Sequence, residues 1–282
     1  MHFEIEHTTA YRYSRPVSLG PHTVRLTPRC NGYQRIQRYR LDVWPTPVLQ
    51  SSALDVEGNV VTRLWFAGET GELRIKSAFA LDTLQDNPFD YLVDNQATRL
   101  PMPYGEHEAP LLATYRYPDR PAQEVVRLAA GLSARTGRDT MAFLTALNET
   151  LHNDFEREIR EDGQPQTPQA TLARRRGACR DLAVLFMAIC RVQGIAARFV
   201  SGYQARAETR RDRRYLHAWP EVYIPGGGWR GFDPSHGTAV ADTHVAVAAA
   251  CSPLSAAPIE GSFFGTGVRC DMTFDVQIHT SS

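Results

Sequence analysis

Apolar and polar positions alternate from the first residues of the chain. Phe3, Ile5 and His7 share one parity against Glu4 and Glu6, and the same period recurs at Val24–Leu26, Tyr39–Leu41–Val43, Leu64–Phe66 and Leu73–Ile75 with Phe79. Turn formers separate these runs: Pro21, Asn31–Gly32, Pro45 to Pro47, Gly58–Asn59 and Gly68 to Gly71. A period of two buries one face of a strand and wets the other. Several such runs at near-regular spacing predict an antiparallel, β-sandwich-like domain over residues 1–95. Residues 96–118 carry Pro101, Pro103, Gly105, Pro110 and Pro118, which break any long element and read as an ordered linker.

The period then becomes helical over 119–282. Val125, Leu128, Ala129 and Leu132 predict a helix from Pro121 to Thr136, stopped by Gly137. Asp139 is placed to cap a second helix through His152, with Phe143, Leu144, Leu147 and Leu151 on one stripe. Thr167 and Pro168 suit the cap and first position of a short helix to about Arg175. A strongly apolar run from Cys179 to Gln193, ended by Gly194, predicts a buried helix. Period two returns at 197–201, 218–224, 229–232, 244–250 and 268–278, with Gly226-Gly227-Gly228 as a hairpin loop. Helices followed by an antiparallel sheet make this second domain α+β.

Composition narrows the function classes. The chain has 282 residues, with 31 basic and 31 acidic side chains. A net charge of zero leaves no electrostatic footprint for nucleic acid or an anionic membrane. Lys76 is the only lysine. Met1 to Glu6 reads as a strand instead of a secretory signal, and no run approaches the roughly 18 apolar residues of a membrane helix. Five cysteines at irregular spacing, without a C-x-x-C, fit reduced thiols in the cytoplasm better than a disulfide framework.

Three residues carry candidate chemistry. Cys179 follows Gly177-Ala178 at the start of the predicted buried helix, where free backbone N–H groups and the helix dipole favour a thiolate. Taken alone, it reads more readily as a small buried apolar residue, the reading that suits Cys190 in mid-helix. His217 opens the strand that ends at Ile224 and is the candidate base. Asp233 ends the next strand, 16 positions on (233 − 217), so pairing of the two strands brings a carboxylate beside the imidazole. An Asx-turn cap before Pro234 would also account for Asp233. A zinc site formed by Cys179, His217 and His236 lacks ligand spacing, and no metal is assigned. The clusters Arg174–Arg176 and Arg210–Arg214 read as solvated faces, and 205–215 as a loop positioned to gate a groove.

The blocks Gly177-Ala178-Cys179-Arg180-Asp181, Gly194-Ile195-Ala196-Ala197-Arg198 with Ser201-Gly202-Tyr203, His217-Ala218-Trp219 and Gly228-Trp229 with Phe232-Asp233-Pro234 resemble the core of the transglutaminase-like superfamily. The β-rich N-terminal part is similar to the extra domain of its bacterial members. The resemblance implies a papain-like core and a nucleophile, base and orienter at Cys179, His217 and Asp233. It also implies a thioacyl intermediate, a peptide or protein substrate and no cofactor. Trp219, Tyr203 and Trp229 are candidate groove residues, although strand aromatics also suit a core. Hydrolysis of peptide or amide bonds is the preferred expectation. Acyl transfer from glutamine to amines, or a non-catalytic binding module, are the alternatives. Asn153, Gln164, Gln166 and Gln169 are the side chains considered as oxyanion donors. Two departures from the family pattern, Pro220 and Ser235-His236, are expected not to touch the three residues; Pro220 further suggests an edge strand or a bulge.

Overall fold

A computed structural model describes residues 1–116, 120–205 and 214–281. The first sheet is antiparallel and is organised by one long strand, β1 (His2–Val24). Around it lie β2 (Gln34–Trp44), β3 (Leu49–Leu54), β4 (Val60–Trp65) and β5 (Glu69–Thr83), in the order β2-β5-β1-β4-β3. The predicted alternation holds: Phe3 and Ile5 are buried, while Glu4 and Glu6 face solvent. Strands from the far end of the chain complete this curled seven-stranded sheet, namely β13 (Ile259–Phe264) and β14 (Cys270–Ser281), both paired to β1. The expected second region, 119–282, therefore does not stay together in space. Its last two strands return to the first sheet, with His2 opposite Ser281 and Tyr13 opposite Cys270.

Residues 96–116 of the expected linker pack into the helical core. A 3-10 turn (Asn95–Thr98), α1 (Glu108–Leu111) and α2 (Ala113–Arg116) run through this stretch, and Ala97, Leu100 and Met102 are buried in the helical core. The Thr140 hydroxyl donates to the Ala97 carbonyl at 2.7 Å. The prolines break long elements, as expected, but the apolar residues between them still pack. Pro118 lies outside the described residues.

The remaining helices are α3 (Gln123–Arg135), α4 (Thr140–Asp154), α5 (Pro168–Arg174) and α6 (Cys179–Val192). The Asp139 carboxylate accepts the Ala142 N–H at 2.8 Å, and the Thr167 hydroxyl accepts that of Ala170 at 3.2 Å, which fixes the starts of α4 and α5. A short parallel pair, β6 (Glu156–Arg157) with β7 (Arg176–Gly177), leads into α6. Leu182, Leu185, Phe186, Ile189 and Cys190 of α6 are fully buried against Phe143, Leu144 and Leu147 of α4 and the second sheet.

That sheet comprises β8 (Ala197–Gln204), β9 (His217–Ile224), β10 (Gly228–Asp233), β11 (Thr238–Ala239) and β12 (His244–Ala250), in the order β11-β10-β9-β8-β12. β9 is thus interior, not the edge strand that Pro220 suggested. The Tyr223 N–H points to β8, reaching the Ala196 carbonyl, so alternation aims the Pro220 nitrogen at the β10 side. The β9–β10 ladder stops at Glu221 opposite Gly231, so no ladder bond is lost at Pro220.

The two sheets meet through Phe3, Ile5, Phe79, Leu81 and Val276 on one side and Tyr203, Val245 and Val247 on the other. The outer edge of β12 is covered by side chains of the first region. Gln34 exchanges two hydrogen bonds with the Ala246 backbone, at 2.6 and 3.0 Å, and Asn59 exchanges two with Ala249, at 2.8 and 2.9 Å. An edge strand left bare would expose unpaired backbone groups. Among the described residues, no helix is long and apolar enough to cross a membrane.

Candidate active site

The hairpin β9–β10 forms as its sequence requires, and its open end places the His217 Nε2 atom 2.8 Å from the Asp233 Oδ2 atom. Both side chains are shut away from solvent. Cys179 stands at the first position of α6, partly buried, and its sulfur is a hydrogen-bond partner of the His217 side chain. With Nε2 given to Asp233, Nδ1 is the ring nitrogen left to face the sulfur. The backbone N–H of Ala218 also points at the sulfur. It can do so because β10 has already diverged on that side of β9.

The charges follow from these contacts. Burial pushes the Cys179 thiol up, but the hydrogen bond and charge of His217, the Ala218 N–H and nearby Arg180 outweigh it, and the thiol falls below its ordinary value. Burial alone would lower His217, yet Asp233 and then Cys179 raise it from 6.5 to about 10. Burial likewise opposes ionisation of Asp233, but His217, His236 and His244 hold its carboxyl well below the usual range. All three shifts run toward a thiolate beside an imidazolium beside a carboxylate. Cys190 behaves oppositely: burial holds its thiol well above the ordinary value, as expected of a core cysteine.

The start of α6 is pinned by Asp181, which is fully buried. Its carboxylate accepts the Ala178 N–H at 2.8 Å and the Gln166 N–H at 2.7 Å. It also takes two hydrogen bonds from the Arg160 guanidinium, at 2.6 and 2.8 Å. The loop between β6 and α5 is thereby tied to the helix that carries Cys179.

Cys179 and His217 open onto a cleft of about 290 Å³. One wall is that tied loop, including Glu158, Arg160 and Gln164. The opposite wall comes from the first sheet: His7, Thr9 and Tyr11 of β1, with Met272 and Phe274 of β14. Only long-range strand pairing brings these residues here, and nothing local in the sequence marks them. Of the four amides considered as oxyanion donors, Gln164 alone lines the cleft among the described residues.

Trp219, Tyr203 and Trp229, the expected groove residues, do not line this cleft. Trp219 lies behind His217, with ring centroids 6.0 Å apart, sealed by Val200, Ala246 and Ala249. Tyr203 is buried between the sheets, and its hydroxyl meets the His7 Nδ1 atom at 2.7 Å. Trp229 sits at the far end of the hairpin, under the Arg198 guanidinium at 4.1 Å. Each follows the strand parity that sends large side chains into packing. The gating loop expected at 205–215 falls largely on residues 206–213, outside the described residues.

The second departure from the family pattern does touch the site. The Ser235 N–H donates to Asp233 Oδ1 at 2.9 Å, and the His236 Nδ1 atom lies 2.7 Å from Oδ2. His244 adds its Nε2 atom at 3.0 Å from the same oxygen. Ligand atoms of His217, Asp233 and His236 lie within 4.8 Å of one another, close enough to consider a metal ion. The three ring nitrogens, however, converge on a carboxylate oxygen and not on a common empty point, which is the geometry of a hydrogen-bond hub.

Comparison with known proteins agrees with this architecture. Residues 3–82 match the bacterial transglutaminase-like N-terminal region, and residues 126–234 match the transglutaminase-like superfamily core. The chain belongs to the transglutaminase-like superfamily, in its bacterial form with the N-terminal β region. An uncharacterized protein of Mycobacterium bovis is 27% identical over 276 residues, covering 93% of this chain and 87% of its own. One from Mycobacterium leprae is 24% identical over 282 residues, covering 97% of both. A crystal structure from Cytophaga hutchinsonii, titled a "Putative Cysteine Protease", superposes with a TM-score of 0.73 at 22% identity, covering 100% of this chain and 92% of that one. It shares the fold.

Proposed function

We propose that the protein hydrolyses peptide or amide bonds through Cys179, with His217 as acid and base and Asp233 as orienter. The observation that carries this reading is that Cys179 and His217 line one open cleft and interact with each other, while the His217 Nε2 atom lies 2.8 Å from the buried Asp233 carboxylate. The thiolate attacks the substrate carbonyl carbon, and negative charge moves to its oxygen. Cys179 and Arg180 are the first two residues of α6, where backbone N–H groups lack intrahelical acceptors and can receive that oxyanion. The tetrahedral adduct collapses with cleavage of the C–N bond, and the leaving amine takes the proton of His217. Water then attacks the thioester while His217 removes its proton, and the thiolate departs. Asp233 holds the tautomer and the ring angle throughout. Five unpaired cysteines suit a reducing compartment, and we place the enzyme in the cytoplasm.

The test is release of amines or ammonia from a diverse peptide and glutamine-amide panel, with and without added primary amine. Native protein should release product, and Cys179→Ala should lose at least about a thousandfold, since removing a nucleophile leaves only residual site effects. Product carrying the added amine would instead make the enzyme an acyltransferase. Equal release by Cys179→Ala would overturn the proposal.

A further inference from the structure

Asp233 has more partners than an orienter needs. Three imidazoles reach its Oδ2 atom: His217 at 2.8 Å, His236 at 2.7 Å and His244 at 3.0 Å. The other oxygen takes the Ser235 N–H. We propose that His236 and His244 are positioning residues, two imidazole donors that lock the Asp233 carboxylate against the His217 ring. This rests on the reading of Cys179, His217 and Asp233 given above.

The proton assignments follow from what each neighbour can do. The Arg157 guanidinium has donors only, and its Nη1 lies 3.3 Å from the His236 Nε2 atom. That nitrogen must accept, so the proton of His236 sits on Nδ1 and is donated to Asp233. A carboxylate oxygen only accepts, so His244 donates from Nε2, leaving Nδ1 to meet the Thr243 hydroxyl at 3.0 Å. Burial lowers His244 below its ordinary value despite Asp233, and keeps it neutral. A positive charge on His236 would face Arg157 directly and the His217 ring at 5.3 Å; one on His244 would face His217 at 6.2 Å. The negative charge of Asp233 is thus left to His217 alone. The backbone is shaped for this hub. Gly237, at φ +69°, closes the turn after His236, and a Cβ there would lie 2.7 Å from the His152 ring.

The assignments make crossed predictions. Asparagine places an amide N–H where Nδ1 of histidine stood, and glutamine places one near Nε2. His236→Asn and His244→Gln should therefore keep the hub, while His236→Gln and His244→Asn should lose it. The readout is alkylation of Cys179 by iodoacetamide across pH, resolved from the other cysteines by peptide mass spectrometry. In native protein the rate rises where the thiolate–imidazolium pair forms, and again near the pH at which His217 gives up its proton. A loosened carboxylate supports the imidazolium less, so the second rise should move down by about one pH unit, the size of one charge-assisted hydrogen bond. The matched amides should leave it in place. Profiles that do not distinguish matched from mismatched amides, or mismatched variants with the native profile, would overturn the positioning role. Should Cys179 of the native chain react no faster than the exposed Cys30 and Cys270, the proposed function itself would fail instead.

Discussion

Asp181→Ala is the substitution with the most traceable consequences. The carboxylate is 0% exposed and accepts four hydrogen bonds: two from Arg160, one from Ala178 N–H and one from Gln166 N–H. Its removal leaves a guanidinium without its buried partner, a change that costs about 3–5 kcal/mol when both charges are fully enclosed. Arg160 is one-quarter exposed and keeps Glu158 at 3.2 Å and the Gln164 carbonyl at 3.0 Å, which moves the expectation to the lower end, about 3 kcal/mol. Denaturant unfolding followed by circular dichroism measures it. The loss should also depend on pH with a definite sign. Burial opposes ionisation of Asp181, but Arg160 and the two N–H donors outweigh it and hold the carboxyl below its usual range. A depressed carboxyl stabilises the fold above its unfolded pKa of about 3.9, and that contribution disappears as pH falls through the folded value. Native protein and variant should therefore converge in acid and differ fully at neutral pH. Because Asp181 ties the cleft-lining loop to the start of α6, Cys179 alkylation should slow as well. A neutral-pH loss below about 1 kcal/mol, or one that persists unchanged in strong acid, would refute the assignment of Asp181 as a charged pin.

Two further substitutions probe what holds the site from behind. In Gly202→Ala the added Cβ would lie 2.1 Å from the Val245 carbonyl oxygen and 2.6 Å from the Trp219 ring, so strand or indole must move. We expect a loss of at least about 1–3 kcal/mol in denaturant unfolding together with slower Cys179 alkylation; native-like stability would show that Trp219 is not confined. Asn59→Ala removes both partners of the Ala249 backbone, and we expect a loss of about 1–3 kcal/mol with faster hydrogen exchange at Ala249. Unchanged exchange there would mean that Asn59 does not seal the β12 edge.

Local signals in the chain carry the helices and the hairpin almost completely. Asp139 and Thr167 cap where their side chains predict, and α6 begins at Cys179 because Gly177-Ala178 interrupts the chain there. The meeting of His217 with Asp233 needs only a hairpin with a glycine loop, and that too is legible. What local pattern does not carry is which face of a strand meets which partner. Trp219, Tyr203 and Trp229 have the composition of a groove, yet parity and neighbouring strands send each into packing. Likewise the Ser235-His236 departure looks peripheral until the turn at Gly237 folds the His236 ring onto Asp233.

The last two strands join the first sheet, instead of staying with the α+β region, for a related physical reason. β1 lies between β5 and β14 along its first eleven residues, so one side of this stretch would be unpaired without residues 270–281. The same pairing carries Met272 and Phe274 to the cleft opposite Cys179. Meanwhile Gln34 and Asn59 occupy the edge of β12, the strand that supplies His244 to Asp233. The first sheet therefore contributes one wall of the cleft and also stabilises the strand behind the hub. Perturbing its pairing should reach Cys179 through both routes, although no residue of β2, β3 or β4 lines the cleft.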